Sequence, residues 1–86
     1  MTIASFSAPS VDFSTAFNAA FNNLNKGALG VWLYIYINHP KELIAEKAMG
    51  SVKISRASFY HGITELQAKN YLILQSDGTY AFNPIK

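Results

Sequence analysis

Apolar positions recur with helical spacing along most of this chain and switch to strand-like runs near its end. Phe13, Phe17, Phe21 and Leu24, with Ala20 between them, follow the i, i+4 rhythm of one helical face. Asn18, Asn22 and Asn23 fall on the other side. A helix over 10–25 follows, capped by Ser10 or Asp12 and ended by Asn25-Lys26-Gly27. The Phe-rich face suits either a homodimer contact through Phe13, Phe17, Phe21 and Leu24 or packing on the chain's own core. Before it, residues 1–9 are small and polar with two lone hydrophobes, and they predict a flexible arm.

Residues 27–38 carry two signals. Val31 to Ile37 has the β-branched and aromatic content of a strand. Leu29, Trp32, Leu33 and Tyr36 also form a helical face, and a buried helix can be apolar all round. The helical reading fits the elements downstream, and His39-Pro40 would end it. Residues 41–49 are mostly good helix formers, with Leu43, Ile44 and Ala48 inward and Glu42, Glu46 and Lys47 outward. Gly50 is the expected helix stop, which makes 50–54 a five-residue turn, longer than the usual three or four.

Ser55 is an N-cap residue, and a helix over 55–69 would run about 22 Å at roughly 1.5 Å per residue. Phe59, Ile63 and Leu66 face the core. Gly62 costs the helix about 1 kcal/mol against alanine, which a close approach to another helix would explain. Asn70 can take the left-handed conformation that ends it. A hairpin over 72–83 follows, with Ser76-Asp77-Gly78-Thr79 at its tip and Pro84 as its stop. The expected fold is one mainly α domain over 10–86 with a C-terminal β-hairpin, an α+β class.

With the core face assigned, Arg56, Ala57, Tyr60, His61 and Thr64 point outward or sideways on the helix from Ser55, and Ser58 lies near the edge. Arg56 can pair with guanine O6 and N7. Ser58, Tyr60 and Thr64 can donate to phosphate or base edges. His61 can contact phosphate, more strongly when protonated. Ser55 and the helix's first N–H groups form an anion site, and Lys53 adds charge before it. An ordinary solvated face is the bland alternative. The hairpin tip carries no Lys or Arg, and Asp77 repels phosphate, so covering the core with Tyr80 and Phe82 is its favoured role. Lys69 and Lys86 are the nearest cations able to reach a nucleic-acid backbone.

Composition adjusts this picture in three ways. Half the 86 residues are hydrophobic and only 14% are charged, so a monomer would expose sticky surface and a dimer would bury it. The net charge is +2, yet residues 26–86 hold all seven cations against four of the five acids, which leaves +3 there. There is no cysteine, and the two histidines, His39 and His61, lack an evident carboxylate partner. Catalysis, metal binding and bound cofactors therefore find no support. The chain's start lacks the pattern of a signal peptide, and its longest apolar run, 28–37, is about half a membrane span. A soluble cytoplasmic protein is expected.

From Gly27 onward the chain resembles the winged helix-turn-helix proteins of bacterial plasmids and phages, including the DNA-binding domains of small replication initiators and replisome organisers. Three stretches carry the resemblance. Gly27-Ala28-Leu29-Gly30-Val31-Trp32-Leu33-Tyr34-Ile35-Tyr36 looks like a first helix. Ile54 to Leu66 and its exit Asn70-Tyr71-Leu72-Ile73 are similar to a recognition helix. Gly78-Thr79-Tyr80-Ala81-Phe82-Asn83-Pro84 looks like a wing's return strand. The resemblance implies double-stranded DNA binding with Arg56, Ser58, Tyr60, His61 and Thr64 at reading positions. The long turn and the uncharged wing depart from the pattern. The function it implies is a non-enzymatic regulator of transcription or replication in a phage or other mobile element, binding as a homodimer. The alternative is a protein-interaction module that does not bind DNA, which low charge and many aromatics also suit.

Overall fold

The computed structural model describes residues 1–6 and 12–84, except for the side chain of Ser5. Among them are β1 (Ile3–Phe6), α1 (Phe13–Asn23), α2 (Lys26–Asn38), α3 (Ala45–Val52), α4 (Arg56–Ala68), β2 (Leu72–Leu74) and β3 (Tyr80–Phe82). The fold is mainly helical with a small three-stranded sheet of order β1-β3-β2, an α+β arrangement.

α2 is the central element. Its β-branched and aromatic residues are helical because packing on several sides outweighs their propensity. Ala28, Val31, Trp32 and Ile35 are buried, while Leu29, Leu33, Tyr34 and Tyr36 are half-buried. The inner face is thus rotated from the expected Leu29–Leu33 side toward Ala28 and Ile35. The Trp32 indole N–H donates to the Pro84 carbonyl at 3.0 Å and ties the chain's far end to this helix.

α4 crosses α2 at very short range. A Cβ on Gly62 would lie 2.9 Å from the Gly27 carbonyl oxygen and 3.0 Å from the Ala28 backbone nitrogen. A Cβ on Gly27 would meet the Ser58 carbonyl oxygen at 2.8 Å. Both glycines are therefore packing requirements, as expected for Gly62. Glu65 adds a polar clamp, accepting the Asn25 backbone N–H at 2.9 Å and the Asn25 side-chain amide. Asn25 in turn caps α2 by accepting from the Ala28 N–H.

The N-terminal segment corrects the expected flexible arm over its first six residues. β1 pairs in parallel with β3, setting Ile3 opposite Tyr80 and Phe6 opposite Phe82. On its other side the Ile3 N–H donates to the Lys41 carbonyl, and the Leu43 N–H to the Met1 carbonyl. The cause is burial: Ile3 is in the core and Phe6 packs on Phe82 with ring centroids 5.3 Å apart. Residues 7–9 of the expected arm, the Ser10 cap and the first two residues of the 10–25 helix lie outside the described residues, as does Lys86. Asp12 caps α1 by accepting the Thr15 N–H at 2.9 Å.

The same contacts correct the expected helix over 41–49. Residues 41–43 are held extended beside β1, so α3 begins at Ala45. At its other end α3 passes through Gly50 to Val52. Lys53, not Gly50, takes the left-handed conformation, with φ 54°. The connection to α4 is then Lys53-Ile54-Ser55, three residues, and the unusually long turn disappears.

Candidate nucleic-acid interface

α4 is seated by its buried stripe of Phe59, Gly62, Ile63 and Leu66. That stripe fixes what the opposite side presents. Arg56, Ala57, Tyr60, His61 and Thr64 are exposed, as expected, and Ser58 is half-buried beside Gly27. Lys53 is exposed on the turn before the helix. The members of the sequence-derived set on α4 therefore gather on one side of the helix, with Lys53 on the turn before it.

Several of these groups already have work inside the fold. Ser55 caps α4, its Oγ accepting the Ser58 N–H at 3.1 Å while lying 3.1 Å from the Ser58 Oγ. The cap is as expected, and it occupies the Ser55 hydroxyl within the helix start also expected to form an anion site. The Thr64 hydroxyl donates to the Tyr60 carbonyl at 3.1 Å but keeps its acceptor capacity. The Arg56 guanidinium lies 3.4 Å from the Glu46 carboxylate, with both side chains largely exposed. Such a pair is weak and screened, so it orients Arg56 without holding it. The Glu46 carboxyl is lowered from its ordinary value by its own backbone N–H at the start of α3, then by Arg56.

A shallow depression of about 270 Å³ lies between the start of α2 and α4, lined by Asn25, Lys26, Gly27, Ser58 and His61. It adds Lys26 to the cationic side of the molecule, a residue the sequence reading did not single out. Gly62 announces a close neighbour, but not that the first residues of α2 are that neighbour. Lys69, one of the expected backbone-reaching cations, is committed to the Asn23 carbonyl and to Glu65.

The hairpin tip differs in kind. The Gly78 N–H donates to the Gln75 carbonyl at 3.0 Å, and Gly78 has φ +85°. This is a turn closed by a left-handed glycine. The Asp77 carboxylate accepts the Thr79 N–H at 3.0 Å and the Thr79 hydroxyl at 2.6 Å. Those two bonds hold the Asp77 carboxyl below its ordinary value. Ser76, Asp77 and Gly78 are exposed and Thr79 is half-buried. Phe82 is buried and Tyr80 half-buried, with the Tyr80 hydroxyl accepting from Gln67 at 3.0 Å, so the hairpin covers the core as expected.

The Phe-rich face of α1 divides. Ala16, Ala20 and Leu24 are buried in the chain's own core, which removes Leu24 from any dimer contact. Phe13 and Phe21 remain 42% and 61% exposed, linked through Phe17 by ring spacings of 5.8 and 6.0 Å. Among the described residues, no group of three or more metal-ligating side chains gathers, and no helix is long and apolar enough to cross a membrane. Comparison with protein-family models, curated proteins and solved structures returns no match.

Proposed function

We propose that this chain is a winged helix-turn-helix protein that binds double-stranded DNA, reading the major groove with the outer face of α4. The observation that carries this reading is the three-residue turn into α4 together with the face that follows it. α4 stands on a backbone-to-backbone seam with α2, which gives it one rigid orientation, and its free side offers Arg56, Tyr60, His61 and Thr64. Arg56 is the base-reading residue and Lys53 and Lys26 flank the phosphates. The hairpin plays a structural part.

One short helix with few cations gives little affinity alone, so a homodimer supplies two copies to two half-sites. Phe13, Phe17 and Phe21 are the residues left for that contact. The regulated process is transcription or replication in a phage or other mobile element, and the site of action is the cytoplasm.

The test is a titration of labelled duplex fragments from the source genome at two salt concentrations. Affinity is expected to fall steeply between 50 and about 200 mM salt, as phosphate contacts release counterions. No binding to any fragment at the lower salt would overturn the reading.

A further inference from the structure

A groove of about 370 Å³ runs between α1, α2 and the α3–α4 turn. Its walls are Phe17, Leu29, Leu33, Val52 and Ile54, all half-buried. Its floor is Gly30. Glycine in mid-helix weakens the helix, and at Gly27 and Gly62 close backbone contact explains it. Gly30 has no such reason. The nearest atoms a Cβ there would meet are on the Val52 and Ile54 side chains, at 3.6 to 3.8 Å, which is ordinary contact. An alanine would fit, strengthen α2 and fill part of the groove. The glycine leaves that part of the groove unfilled.

The groove's charge selects its occupant. Lys26 and Lys53, both exposed, stand among its lining residues, and no acid is among them. A second copy's α1 could offer its phenylalanines, but its one acid is the N-cap Asp12, whose carboxylate already accepts the Thr15 N–H, against two lysines. We infer that this groove binds a partner protein through an acidic amphipathic helix, its apolar side chains entering between α1 and α2 and its carboxylates meeting Lys26 and Lys53. The groove shares Lys26 and Lys53 with the proposed phosphate contacts and Phe17 with the proposed dimer face, so an acidic helix bound here competes with both. The peptide test uses no DNA and fails or succeeds separately from that reading.

The test uses the full chain, isotopically labelled, and two synthetic helical peptides. Both carry leucines at i, i+3, i+4 and i+7, one with glutamates on its polar face and the other with lysines. The acidic peptide is expected to shift the amide signals of Leu29, Gly30, Leu33, Val52 and Ile54, and to release as salt rises. Gly30→Leu, which fills the floor, should abolish the shifts, and Gly30→Ala should weaken them if the larger residue prevents folding. The double reversal Lys26→Glu with Lys53→Glu should weaken the acidic peptide about tenfold or more and transfer binding to the basic one. A loss of packing alone would not produce that transfer. Equal binding of the two peptides, or unmoved groove amides, would overturn the inference. So would broadening of those amides by self-association without peptide, which would assign the groove to a second copy.

Discussion

The outer face of α4 and the tip of the hairpin are both exposed, both polar and close in sequence, yet they differ in what their polar groups are free to do. At the tip, Asp77 is turned onto Thr79, the Thr79 hydroxyl is shared with Gln75, and the backbone closes on itself through Gly78. On α4, the Arg56 side chain is held only by an exposed contact of 3.4 Å, and His61 and Tyr60 project from a helix whose other side is fully packed. Exposure is therefore a poor guide to availability. A polar group already satisfied by its neighbours must break those bonds before it can recognise anything else.

The sharpest way to break the contrast is to unseat the helix. Gly62→Leu drives a side chain into the Gly27 and Ala28 backbone, and it should cost about 3 kcal/mol or more in urea unfolding, because backbone cannot yield as side chains do. Near-native stability would mean that the α2–α4 seam is looser than described. The next effect separates the two regions directly. Arg56→Ala should cost about 1–3 kcal/mol in DNA affinity and relax sequence preference, measured by competition between duplexes. Asp77→Ala should leave affinity unchanged if the hairpin is only a cover.

A smaller effect tests the cap. Ser55→Ala should lower stability by about 1 kcal/mol, read from the urea midpoint, through loss of the bond to the Ser58 N–H. The smallest is a pH effect at the tip. Asp77 is depressed below its ordinary 3.8, so its contribution is present above that value and is lost as pH falls below it through the folded-state pKa. The Thr79 amide signal should therefore titrate with a midpoint below 3.8. A midpoint at or above it would mean that the Asp77–Thr79 bonds do not form in solution.

Much of this arrangement was legible because it is local. Phe59, Ile63 and Leu66 announce the buried face of α4, and the outward set follows by subtraction. Asn70, at φ 66°, and the Asp77-Gly78 turn are fixed by residue chemistry alone. What escaped the sequence is non-local. β1 pairs with residues nearly eighty positions away, and bonds from Met1 and Ile3 on its other side hold 41–43 extended and delay α3. The turn was misplaced for a related reason. Gly50 was the natural stop by propensity, but the helix continues through it and a lysine takes the left-handed position. Gly50 has nothing within 4 Å, and the structure gives no account of it. Lys26 could be assigned to the cationic side only once the glycine seam had laid α2 across α4.

The most direct test is to add duplex DNA to the labelled chain and map the amide signals that move. The largest shifts are expected on the turn and outer face of α4, at Lys53, Arg56, Ala57, Tyr60, His61 and Thr64, with Ser76 to Thr79 unmoved. Shifts confined to the hairpin tip, or none at DNA concentrations that saturate a specific site, would contradict the assignment of α4 as the reading helix.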